Sequence, residues 1–530
     1  MRFSLVLALI GALAAASATP AVQAASVIHR GNGAEPDTLD PGKSQGHWEA
    51  NIIGDMLMGL TTEGLDGKPI PGAAESWTVS EDGLIWTFHL RAGATWSDGV
   101  PVTADDFVLA WKRLLDPTFG AQYASILYVV KNAEAVNSGA APVDDLGVRA
   151  IDAATLEVSL AHPAPYLDQL VAHQAAFPVP KHAIEAFGDQ WVKAGNYVAN
   201  GPYVLAEWRP QDYVKLVKNP AFYDSANVQI DEVYFYPTQD TEAALKRFRA
   251  GELDMQDTFP GQQLDWLKEN MPESVQVFPF LAVQYIVFNT QRPPFEDKRV
   301  REALSLAADT EIITDKIYRF GEPVAESFVP PVTANYPATA SIPFKGQDRA
   351  ARLERAKALL AEAGYGSDNP LSFTFNYITD ADNRRAAIAL ADMWKQTGCN
   401  VEIVASESKI HYVNVLQPGD YDVAMAAWSA DYDDAENFLF MLESNNKGFN
   451  YGRWFNPQYD ALMAQARNEK DLAARGKIMA EAEQTLLDDF AIMPTRFPYT
   501  RYLVSPRVKG FQPNAREIFR TRWMSIDPSS

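Results

Sequence analysis

Residues 421–440 read YDVAMAAWSADYDDAENFLF. In the first half Val423, Met425 and Ala427 alternate with smaller residues, which is the pattern of a buried strand. The alternation stops at Trp428-Ser429-Ala430-Asp431-Tyr432, an acidic and aromatic loop. An apolar strand that ends in one carboxylate between a Trp and a Tyr is suited to hold a cation. The rings offer apolar walls and cation–π faces, and Asp431 offers the counter-charge. Asp433, Asp434 and Glu436 fit a plainer role, the favourable charges of a helix N-terminus.

Upstream of this stretch, SFTFNYIT and VEIVAS read as strands around a helix carrying Ile388 and Trp394. Strand–helix–strand alternation over 371–427 predicts an α/β lobe. RLERAKALLAEAGY reads as a helix stopped by Gly364, and DKRVREALSLAAD as one with Val300, Leu304 and Ala307 on a face and Asp297 near its start. Nearer the N-terminus, Trp86, Phe88 and Leu90 alternate in LIWTFHLR. In VTADDFVLAWKRLLDP, Thr103 and Asp106 form a near capping box. Phe107, Val108, Trp111, Leu114 and Leu115 then make a buried stripe that stops before Pro117. Leu39-Asp40-Pro41 and Asp66-Gly67-Lys68-Pro69 read as turns. Ile52, Ile53, Met56, Leu57 and Leu60 suggest one helical face, and Val27–Asn32 a short strand. No internal repeat is present.

A chain of 530 residues is too long for one ordinary core, so two or three domains are expected. The net charge of −22 argues against nucleic acid or anionic lipid as partners. Residues 1–24 have Arg2 before an apolar run and end in Val22-Gln23-Ala24, the pattern of a secretory signal peptide cut before Ala25. No other segment is apolar enough for long enough to insert in a membrane. Cys399 is the sole cysteine, so no intramolecular disulfide forms, and no cysteine stands at the cleavage site to take a lipid anchor. Cys399 reads as a small packed residue. A secreted, periplasmic protein stabilised by large cores is expected.

Enzyme signatures are missing: no GxSxG, HExxH, Walker loop or CxxC occurs. The seven histidines show no paired metal-ligand spacing, and DYDDAENF has Glu436 where a calcium hand needs its glycine. Neither a metal nor a cofactor is expected. A pair of carboxylates acting as a hydrolase is the remaining enzymatic alternative.

Motifs in a fixed order carry a resemblance. GLTTEGLDGKPIPGAAESW, DGLIWTFHLRAGATWSDGVPVTADDFVLAWKRLLDP, FPVPKHAIEAFGDQW, NGPYVLAEW, FNTQRPPFEDKRVREALSLAAD, WSADYDDAENFL and AIMPTRF span the chain. Together they resemble the extracellular solute-binding proteins of oligopeptide ABC importers, a class of periplasmic binding protein. The resemblance implies an α/β, type II-like fold, with two lobes closing over ligand and an extra third domain. Lobe I would comprise 25–57, 183–283 and 499–530, the extra domain 58–182 and lobe II 284–498, with crossings near Val283–Asn289 and Ile492–Phe497. It implies a monomeric, non-enzymatic receptor that takes peptide by its free N-terminus and passes it to an inner-membrane ABC permease. Asp431 of Trp428-Ser429-Ala430-Asp431-Tyr432 would bind the ammonium. Main-chain groups of Ala427 and Ser429 would pair with the peptide, and Tyr123 would stand near the same end.

This chain departs from those relatives where the ligand's C-terminal carboxylate would land. Leu416 and Met425 replace arginines there, and Asn383 replaces a histidine. Lys316, Arg319, Arg384 and Lys409 are the nearby cations that could substitute. A murein peptide or an opine, each with a cationic end, is the alternative ligand.

Overall fold

The computed structural model describes residues 25–527; the expected signal peptide lies outside them. Two large sheets organise the chain. The first has seven strands in the order Val275–Pro279, Tyr499–Val504, Met255–Gln256, Val27–Gly31, Glu232–Tyr236, Tyr213–Lys218 and Tyr203–Arg209. The second has five: Asn400–Ser406, Ser372–Ile378, Val423–Ser429, Ala282–Phe288 and Ile492–Arg496. Its first three strands run parallel, with helix Ala381–Lys395 as the crossover expected between parallel neighbours. The chain passes between the sheets at 280–281, just before the expected Val283–Asn289, and at 497–498, at the end of the expected Ile492–Phe497. Val283–Asn289 and Ile492–Phe497 fall largely inside strands of the five-stranded sheet.

Strand Val423–Ser429 lies third in the five-stranded sheet, with packing on both faces. Val423 and Met425 join a core with Phe373, Phe375, Ile286 and Trp394, while Ala424 and Ala426 join another with Val283, Tyr285 and Phe438. Apolar residues at both parities are what a two-sided sheet requires. Of the helix between the parallel strands, Trp394 is buried and donates to Leu304 O at 2.9 Å, whereas Ile388 faces solvent.

A third, antiparallel sheet of Ala74–Val79, Ile85–Leu90, Thr155–Ser159 and Val148–Asp152 shares one apolar core with the seven-stranded sheet. Helix Ala104–Leu115 covers it, started by the Thr103/Asp106 capping box and burying Phe107, Trp111, Leu114 and Leu115. The helix expected to reach Leu60 ends at Met56 instead. There the Asn200 side chain accepts from Met58 N at 2.9 Å and donates to Met58 O at 3.0 Å, and the chain straightens into strand Thr61–Glu63. Leu57 and Leu60 are buried without being helical.

Candidate functional site

Past Ala424 the strand Val423–Ser429 parts from its parallel neighbour Ser372–Ile378, but its pairing with Ala282–Phe288 runs on to Ser429. One edge of the strand is therefore left open over its second half. Ala430 N donates to Leu281 O at 2.8 Å, so in the alternating antiparallel pattern Met425, Ala427 and Ser429 turn their main-chain groups to the open edge. The wide helical turn His411–Leu416 packs there. His411 Nε2 donates to Met425 O at 2.8 Å, and burial lowers the pKa of the imidazole. Tyr412 Oη lies 3.2 Å from both Ala427 N and Ala427 O.

Asp431 follows the strand, and its loop is fixed by Asn437. Asn437 Oδ1 accepts from Trp428 Nε1 at 3.0 Å and from Asp431 N at 3.1 Å. Burial raises the Asp431 carboxyl to about 6, against the opposing pull of Arg516 and the Asn437 amide. Tyr123 faces it from the other side of the junction between the sheets: the Asp431 charge, then burial, pushes the phenol upward. Tyr123 is itself stacked on His173, with ring centroids 5.3 Å apart. Arg516 Nη2, from the C-terminal segment, donates to Asp431 O at 2.5 Å.

The aromatic neighbours of Asp431 have other partners than those expected. Trp428 packs on Phe440 and Phe449, and Tyr432 stacks on Tyr166 at 4.6 Å across the junction. Asp433 and Gln169 exchange hydrogen bonds beside that stack, at 2.7 and 3.3 Å. Asp434 departs from a simple helix-dipole role. It forms a buried, bidentate pair with Arg475 at 2.7 and 2.9 Å, and the helix it precedes is the four-residue Glu436–Leu439.

At the far end the expected residues separate. Leu416 is wholly buried in the core on one face of the five-stranded sheet and Met425 in the core on the other, so the sheet divides them. Asn383 Oδ1 accepts from Tyr318 Oη at 2.7 Å and from Gln284 Nε2 at 3.1 Å. Lys316, Arg319, Arg384 and Lys409 are exposed, and Arg319 pairs with Asp265 at 2.9 Å. Beside Arg501, which is itself largely buried and donates to Thr258 Oγ1 at 3.0 Å, stands the cation Arg496, which had no sequence signal beyond its place in AIMPTRF. It donates to Gln284 Oε1 at 2.8 Å, pairs with Glu322 and lies 3.5 Å over the Tyr318 ring.

Paired strands from two sheets, an extra antiparallel domain and a carboxylate at their junction define a solute-binding protein. The chain belongs to the bacterial extracellular solute-binding proteins, family 5, whose profile matches residues 68–450. Members of this family are binding receptors rather than enzymes. The periplasmic oligopeptide-binding protein OppA of Escherichia coli is 40% identical over 486 residues, which are 91% of this chain and 89% of that protein. The solved murein tripeptide-binding protein MppA of Escherichia coli matches with TM-score 0.85 and 37% identity over 95% of this chain and 99% of its own. Haemophilus influenzae OppA in complex with RPPGFSPFR matches with TM-score 0.83 and 36% identity, covering 95% and 99%.

The raised Asp431 carboxyl has a consequence for binding. An ammonium ligand needs the ionised form, so below a pH of about 6 binding must displace a proton. Affinity is expected to fall toward about tenfold per pH unit there and to level off above. Calorimetric titration from pH 4.5 to 7.5, wild type against Asp431→Asn, checks this. A flat profile would remove Asp431 from the ligand contacts.

Proposed function

We propose that this protein is a periplasmic receptor that captures peptides by their free N-terminus and delivers them to an ABC permease. The observation that carries the reading is Asp431, a part-buried carboxylate facing Tyr123 at the end of a strand that parts from its parallel neighbour after Ala424 and leaves the main chain of Ser429 open. An ammonium there supplies the counter-charge that burial makes favourable, and an extended peptide adds to the strand edge. The OppA and MppA relatives carry peptide binding in their names. Their periplasmic location agrees with residues 1–24 as a signal peptide removed before Ala25. No helix among the described residues is long and apolar enough to cross a membrane. Lobe I (25–57, 183–283, 499–530), the extra domain (58–182) and lobe II (284–498) are the units that would move on closure, and the receptor would work as a monomer.

The test is thermal unfolding of mature protein, stripped of ligand by unfolding and refolding, with two- to six-residue peptides and the same peptides N-acetylated. Ligand at 100 times its Kd should add about 2.7 kcal/mol of stability. Stabilisation by the free peptides alone is expected. Equal stabilisation by both would keep peptide binding and remove the ammonium contact. No stabilisation by either would overturn the peptide reading.

A further inference from the structure

The open edge of strand Val423–Ser429 has three rungs, and they are not equivalent. His411 Nε2 takes the carbonyl of Met425 at 2.8 Å. A single hydroxyl, Tyr412 Oη, takes both groups of Ala427, accepting from its N–H and donating to its C=O at 3.2 Å each. No side chain among the described residues bonds the main chain of Ser429, and Ser429 is exposed. An incoming main chain meets one open rung and then a rung closed from within.

We propose that Tyr412 limits the ligand to about two residues by occupying the main chain of Ala427, so that the preferred ligand is a dipeptide-sized amine. This rests on the reading of Asp431 as the ammonium site. Rungs on one edge of a strand recur every second residue. A peptide with its ammonium on Asp431 and its first residue on Ser429 would bring its third residue to Ala427. That third residue gains two hydrogen bonds only by breaking two, so length adds nothing beyond the second residue. At the far end the expected carboxylate ligands are apolar or already engaged. Leu416 and Met425 are buried in apolar cores, Asn383 is bonded to Gln284 and Tyr318, and Arg496 is neutralised by Glu322. None of these four side chains is free to take a C-terminal carboxylate.

The experiment is calorimetric titration of refolded, ligand-stripped protein with Ala-Ala, Ala-Ala-Ala and Ala-Ala-Ala-Ala. The readout is the ratio of tripeptide to dipeptide affinity. In the wild type the dipeptide is expected to bind as tightly as the longer peptides or more tightly. In Tyr412→Phe, which keeps the ring and removes the hydroxyl, the ratio should move by about tenfold or more toward the tripeptide, since both groups of Ala427 are then unpaired until a peptide meets them. A wild type that binds the tripeptide more tightly overturns the proposal whether or not the variant folds. So does a ratio that Tyr412→Phe leaves unchanged. If none of the three peptides binds, the peptide reading falls with it, a result distinct from either of these.

Discussion

Asp431→Asn is expected to abolish tight binding of peptides with a free N-terminus while making the ligand-free protein more stable at neutral pH. Asn keeps the shape and loses the charge. Truncating one partner of a desolvated, hydrogen-bonded charge pair costs roughly 2–5 kcal/mol, or about 30-fold to several thousandfold in Kd. The stability effect has the opposite sign. Burial raises the carboxyl to about 6, so folding favours its protonated form. That contribution is complete below the ordinary carboxylate range and is lost as pH rises through about 6, where the ionised group becomes a cost. Wild type and Asp431→Asn should have the same stability near pH 4 and diverge toward pH 7, with the Asn variant ahead by the order of 2–3 kcal/mol. Urea unfolding at the two pH values reads the stability, and calorimetry the affinity. Full affinity in the variant would sink the ammonium site, and equal stability at pH 7 would show that the carboxylate is hydrated.

Arg475→Met is expected to cause the largest loss of stability. Arg475 and Asp434 are both almost fully buried and share two hydrogen bonds, at 2.7 and 2.9 Å. Burial works against the charge of Arg475, and Asp434 more than offsets it. Removing the guanidinium leaves a buried carboxylate without its cation, which costs roughly 3–5 kcal/mol. Replacing both partners by apolar residues, Arg475→Met with Asp434→Leu, should recover much of that loss, because neither charge then needs desolvating. The urea midpoint of the three proteins measures this. A single variant as stable as wild type would mean that water reaches Asp434. Arg475 also lies 5.4 Å over the ring of Tyr166, which stacks on Tyr432 across the junction. The single variant should therefore bind ligand more weakly as well as unfold more easily.

The sequence by itself determined the local elements and the class. The Thr103/Asp106 box, the alternation of Trp86, Phe88 and Leu90, and the strand–helix–strand run before Asp431 depend on neighbours a few residues apart, and all appear as read. The ordered motifs identified the family, and its profile covers 68–450. What the tertiary structure decided is which groups meet across hundreds of residues. Asp434 looked like a helix-dipole charge because its partner Arg475 lies 41 residues downstream on another helix. Arg516 reaches Asp431 from the last segment of the chain, and Gln169 reaches Asp433 from 264 residues upstream. Leu416 and Met425 were both expected where the ligand's carboxylate would land, yet a sheet separates them. Tyr412 had no signal at all. Its importance comes from strand Val423–Ser429 parting from its neighbour after Ala424, and hydrogen bonding on a diverging edge is a property of the folded chain.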